Sequence, residues 1–331
     1  MKIRQSVWWI SGRLAALSPG WRQQIWVPLL VVPFLSACEM TAPHAPASPP
    51  PAPDTATPIP VPEDARTLAD IAYYQKIQAS YLSQGMLRTE TRPADAPFTS
   101  RDLAENFLAV AFFDEFSDRN GQLVEGGAEA RLHRWSRPIR LQIEYGPSVP
   151  LAKRKADDAE MARYLQRLSR LTGLPITMVT EDPNFLVLIH NPQDRRDNRA
   201  RILAFAPGTS AAALRSVRDM RRDIYCTVFS YSPGQSSAYD RSLALIRAEL
   251  PSLMRRACIH EEIAQGLGLI NDVPRARPTI FNDNEEFALL TAQDELMLRI
   301  LYDRRLRPGM SLAEARPIVE AIAAELIGGS S

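Results

Sequence analysis

Nine of the 22 residues from Thr41 to Pro62 are proline, and this stretch divides the chain. Proline locks φ and removes a backbone donor, so such a run joins neither a helix nor a sheet and adopts an extended polyproline conformation. It also offers almost no large apolar side chain to bury. The folded region is therefore expected in residues 63–331, and the 331-residue chain as a whole is long enough for one large domain or two modest ones.

Residues 1–37 carry Lys2, Arg4, Arg13 and Arg22 and no acid. The apolar run 25–37 has the length of a signal-peptide core and falls short of the roughly 20 residues a membrane-spanning helix needs. It ends Leu35-Ser36-Ala37-Cys38, which resembles the bacterial lipobox and implies acylation of Cys38 after cleavage of residues 1–37. An ordinary signal peptide or an uncleaved anchor with an incidental cysteine is the alternative. Glu39 in place of aspartate resembles an outer-membrane sorting signal. Residues 38–62 then form a tether of about 3.1 Å per residue, holding the folded part several nanometres from the lipid and facing the periplasm.

Composition is that of an ordinary globular protein, 45% hydrophobic and 23% charged, and 39 basic against 38 acidic residues leave a net charge of +1. Nucleic acid is not an expected partner. The arginine-rich stretches 194–199 and 218–223 mix both signs without interleaved aromatics and read as solvated surface. Of three cysteines, Cys226 and Cys258 remain once Cys38 is lipidated. In an oxidising compartment they are expected to pair, closing a loop of about 33 residues worth roughly 3–4 kcal/mol. Two buried thiols are the alternative.

The fold class expected is α/β (α+β), a mixed twisted sheet with C-terminal helices, preceded by accessory helices in 63–128. Hydrophobic spacing predicts helices over 63–88 and from a cap at Thr99 or Ser100 to Phe116, followed by a loop over 118–127. In 129–331 the pattern predicts a strand over 132–145 and a helix over 152–171. Strands 176–180 and 185–190 follow across the turn 181–184, with 201–206 a fourth candidate strand. After the strand 224–230 come two helices, 240–249 and 251–266, joined at Pro251, then a helix over 294–303. Ser311 caps a last helix that contains Pro317.

On the helix after Pro251, Glu261 and Gln265 stand one turn apart and face the same way. A zinc peptidase places two histidines at that spacing with a glutamate beside the first, so that the metal acidifies a water and the carboxylate takes its proton. Aligned with H-E-x-x-H-x-x-G-x-x-H, the segment 261–271 resembles the metzincin pattern. Glu261, Gln265 and Asn271 fall at the three ligand positions, Glu262 at the base and Gly268 at the glycine. Pro278-Thr279-Ile280-Phe281-Asn282 resembles the turn beneath the metal, with Phe281 in place of methionine, and residues 290–294 and 300–302 resemble the closing helix. The resemblance implies a zincin-like domain whose zinc ligands have been replaced. His260 is read as an exposed or hydrogen-bonded helix residue, and His44, His133 and His190 are isolated from one another.

Residues 85–88 (GMLR), 134–139 (RWSRPI), 280–283 (IFND) and 307–310 (RPGM) also resemble a proteobacterial family known as domain of unknown function 2927, over roughly 85–315. Its members are described as lipoproteins without an assigned activity.

These readings converge on a lipid-anchored periplasmic protein with a degenerate zinc-peptidase-like domain. It is expected to bind a protein, peptide or cell-wall component, with no metal and no cofactor. The rival from the enzyme class is a hydrolase with Glu262 as general base, and a purely structural envelope lipoprotein is a third reading. Glu261 and Glu262 have a plain alternative as a solvated or hydrogen-bonded pair. No nucleophile elbow or phosphate loop is present.

Overall fold

The computed structural model describes Trp8–Trp9 and residues 64–114, 116–119, 122–125 and 128–328. The remainder of the segment expected to direct export, Cys38, the proline-rich stretch and His44 lie outside the described residues. Among the described residues no helix is long and apolar enough to cross a membrane.

Chain order is β1 (Trp8–Trp9), α1 (Ala65–Ser83), α2 (Ser100–Ala111), β2 (Phe116–Arg119), β3 (Gln122–Glu125), β4 (Arg134–Trp135), β5 (Ile139–Tyr145), α3 (Leu151–Thr172), β6 (Ile176–Met178) and β7 (Phe185–His190). It continues with α4 (Pro192–Arg195), α5 (Arg199–Phe205), α6 (Ala211–Arg218), β8 (Cys226–Tyr231), β9 (Ala238–Tyr239), β10 (Arg241–Arg247), α7 (Ser252–Leu267), α8 (Ala292–Leu301) and α9 (Leu312–Gly328).

Six strands form one mixed sheet in the order β1-β8-β10-β7-β5-β6. β10, β7, β5 and β6 run parallel, and β8 lies antiparallel to β10. At the far side of β8, Trp8 and Trp9 pair parallel with Phe229 and Ser230.

Strand alternation sends β7 and β10 side chains to two separate cores. Phe185, Val187, Ile189, Ala244 and Ile246 face the larger core with α3 and α7, which also takes in α2, α8 and α9. Leu186, Leu188, Leu243 and Leu245 face a smaller one with Ile202 and Phe205 of α5 and Ala213, Leu214 and Val217 of α6. Central parallel strands buried on both faces read as unbroken apolar runs.

That property explains two corrections. Residues 240–249 do not form a helix: SLALI is the interior of β10, buried throughout, and a short apolar run carries no period that separates strand from helix. Residues 201–206 are not a strand but lie largely in α5, presenting Ile202 and Phe205 to the smaller core.

Smaller departures follow local chemistry. The strand expected over 132–145 is two strands, β4 and β5, on either side of Pro138. The segment 118–127, expected as a loop, contains most of the antiparallel β2–β3 pair. α2 begins at a Thr99–Asp102 capping box and ends at Ala111, short of Phe116. α1 is capped by Asp64, whose carboxylate accepts from the Thr67 N–H.

Candidate functional site

α7 enters from Pro251, packs on β8 and β10 and is covered from the other side, so every residue from Ala257 to Leu267 is buried. Two glycines make this close approach possible. A Cβ on Gly266 would stand 2.6 Å from the Phe185 ring, and one on Gly268 would stand 2.2 Å from the His133 carbonyl oxygen. Gly268 also has φ +125° where it ends the helix, a conformation that L side chains avoid. Its place in the sequence pattern thus has a steric cause independent of any metal.

Burial changes the reading of the polar residues on α7. His260 is enclosed: its ring stacks on Tyr164 at 4.0 Å, and the Tyr164 hydroxyl donates to the His260 carbonyl at 2.7 Å. The Leu290 N–H donates to Nδ1 at 3.2 Å, which leaves Nε2 to carry the proton and donate to Glu160 Oε1 at 3.1 Å. Burial holds the His260 pKa below its ordinary value, while the hydrogen bond from His260 holds the Glu160 carboxyl down at about 2. A neutral imidazole beside an ionised carboxylate satisfies both. His260 is therefore hydrogen-bonded, as one reading expected, but not exposed, and both ring nitrogens are already engaged.

Glu261 and Glu262 are 2% and 1% exposed, which excludes a solvated pair. One carboxylate oxygen of each and the Cys226 sulfur all lie within 4.8 Å of one another. That sulfur is bonded to Cys258, with the two Cα atoms 5.8 Å apart, so the expected disulfide is present and joins β8 to α7. A disulfide sulfur is not a thiolate and is no ligand of the kind zinc takes.

Gln265 is fully buried; its Nε2 donates to Asp272 Oδ1 at 3.4 Å, and Oε1 has no hydrogen-bond partner among the described residues. Asn271 is turned elsewhere. Its Nδ2 donates to the Ala109 carbonyl at 3.0 Å, and the backbone N–H groups of Ile270 and Asn271 donate to Val110. These are carbonyls of the last turn of α2, which lack partners inside their own helix. Asn271 caps α2.

Phe281 is fully buried in the turn after cis Pro278. The turn is fastened by Asp294 at the start of α8, which accepts from Thr279 Oγ1 (2.5 Å), the Ile280 N–H (3.2 Å) and both the N–H and hydroxyl of Thr291. Burial raises the Asp294 pKa to about 6. His133, stacked on Tyr239, and His190, hydrogen-bonded to Asn198, are both pushed down to about 4 by burial. The structure therefore brings Glu261 and Glu262 together against the disulfide, while Asn271 and His260 serve packing.

Sequence reasoning missed Glu160 and Tyr164 as partners of His260, because nothing local couples a helix residue to a partner about a hundred positions away, and it missed Asp294 as the fastening of the turn 14 and 15 positions before it. It also missed the buried group Arg195–Glu249–Arg247.

The fold and this site together define an α/β protein with a disulfide-linked strand and a buried, carboxylate-bearing helix. A family profile described as Protein of unknown function (DUF2927) matches residues 100–321, and the chain belongs to that family. No curated protein matches the chain.

Proposed function

We propose that this chain is a lipid-anchored envelope protein whose zincin-like domain binds an extended partner and does not cleave it. The observation that carries the reading is the donor chemistry at α7. The three ligand positions hold Glu261, Gln265 and Asn271, the Asn271 amide is committed to the end of α2, and the nearest sulfur is in a disulfide. These residues do not fit a zinc centre. The Cys226–Cys258 bridge suits an oxidising compartment, in keeping with an anchor at Cys38 and a periplasmic, outer-membrane location. The strand order, with antiparallel β8 beside α7, is what a peptide-binding cleft built by strand addition would use. Backbone pairing of Trp8–Trp9 along β8 supports an edge that accepts an extended segment, and cleavage before Cys38 would vacate it.

Three measurements test this proposal. Binding of an extended-peptide library to the purified chain should be lost on Val228→Pro, which removes a ladder donor from β8, with the fold checked by circular dichroism. Peptide hydrolysis that disappears in Glu262→Gln would sink the non-catalytic reading in favour of a hydrolase. For the anchor, Cys38→Ala should abolish the acyl mass increment and release the protein from the membrane fraction.

A further inference from the structure

The two arginine-rich stretches expected to be solvated surface do not lie apart. Beyond the end of β7, helices α4, α5 and α6 bring Arg195, Arg196, Arg199, Arg215 and Arg218 to one concavity of about 270 Å³. A second concavity of about 410 Å³ shares Arg195, Arg196 and Arg218 and adds Arg66 from α1. Among the residues lining the two, the acid is Asp219, which already pairs with Arg218 at 2.6 Å. Asp64 approaches Arg196 only to 3.9 Å.

Arg195 separates this crevice from a chance cluster of surface charge. Its side chain is 2% exposed, and Nη1 donates to both oxygens of Glu249 (3.1 and 3.3 Å) and to the His190 carbonyl. Glu249, also buried, is shared with buried Arg247 at 2.7 Å. Two guanidinium groups thus face one carboxylate, leaving one positive charge in excess where desolvation makes it costly. Arg247 is saturated by the carbonyls of Ile224, Met220 and Arg221. Arg195 is not: its buried Nε has no hydrogen-bond partner, although the side chain lines both concavities.

We propose that this crevice binds a phosphate-bearing anion, a phosphomonoester or diphosphate, with Arg195 as the buried anchor and the exposed arginines as its rim. A guanidinium presents a rigid fork that matches phosphate oxygens. A doubly charged tetrahedral group with three terminal oxygens engages several converging forks at once, whereas a carboxylate has two oxygens and one charge. The position outside the carboxyl end of a central parallel strand is where open α/β sheets bind ligands. The same chemistry is offered by a soluble phosphate ester and by a phospholipid headgroup.

The test uses the full chain purified in a non-ionic detergent at low salt, titrated calorimetrically with inorganic pyrophosphate and, separately, with mixed micelles containing phosphatidic acid. At least one probe should bind. The exposed-rim variant Arg196→Ala/Arg199→Ala/Arg218→Ala should weaken that binding by at least about tenfold, since three guanidinium forks and their charge-assisted hydrogen bonds are lost. Arg195→Gln should weaken it too, and the rim variant decides the matter if Arg195→Gln does not fold. A charge-matched control, Arg101→Ala/Arg170→Ala/Arg304→Ala, should bind as the wild type does. Binding of pyrophosphate alone assigns a soluble ligand, and binding of the micelles alone assigns a headgroup. Failure of both probes, an unaffected rim variant, or an equal loss in the control would overturn the proposal.

Discussion

Removing the bridge between β8 and α7 by Cys226→Ala/Cys258→Ala should destabilise the domain by about 4–6 kcal/mol. The cysteines are 32 positions apart, and closing a loop of that length removes about 4 kcal/mol of chain entropy from the unfolded state. Both side chains are buried, so each lost sulfur adds up to about 1 kcal/mol of packing. For a fold of about 265 residues, an unfolding entropy near 2.1 cal/mol/K per residue converts this into a fall in Tm of about 7–11 °C. Differential scanning calorimetry with and without reductant is the assay. Reduced wild type should melt close to the variant, and reductant should leave the variant unchanged. A fall below about 3 °C would refute the reasoning, because the unfolded chain would then be no freer without the bridge.

Acid should weaken the fold through His133 and His190. Each is held near 4 in the folded state against 6.5 unfolded, so stability present above pH 6.5 is lost as pH falls toward 4, by about 3 kcal/mol each. His133→Gln should flatten part of that slope in urea melts taken from pH 7 to 4. Asp294 acts in the opposite sense. Its folded value of about 6 lies above 3.8, so its contribution is full below pH 3.8 and lost as pH rises through 6, and Asp294→Asn should steepen the acid-side loss. Gly268→Ala should cost more than about 3 kcal/mol in equilibrium unfolding, because its Cβ meets the His133 carbonyl at 2.2 Å in a left-handed conformation. Gly208→Ala, with nothing within 4 Å, should stay within about 0.5 kcal/mol of wild type. Asn271→Ala should cost about 1 kcal/mol, the worth of a single capping hydrogen bond, and a loss of bound metal in that variant would show Asn271 to be a ligand.

Local chemistry made much of this protein legible. The capping residue Thr99, the 3.6-residue stripe of α3 through Met161, Leu165 and Leu168, and the apolar run of β7 each report their own conformation, because the forces that select them act within a few residues. The pairing of Cys226 with Cys258 followed from counting the cysteines and from the oxidising compartment expected for the chain. β10 and α5 were misread for one reason: an apolar segment states that it is buried, and only its neighbours decide whether it is buried as a strand between two layers or as a helix on top of one.

At the site the division is sharper. Spacing alone placed Glu261, Glu262 and Gln265 on one helix and showed that histidines are missing from the ligand positions, since a helix converts sequence distance directly into geometry. What each side chain touches was decided by tertiary packing. Asn271 turns to cap α2, His260 is locked between Tyr164, Glu160 and Leu290, and Arg195 lines one concavity with Arg218 and Arg66 from distant parts of the chain. Charges that look balanced along the sequence become a one-sided crevice when folding places their basic members on the same side, because electrostatic energy depends on distance in space and not along the chain.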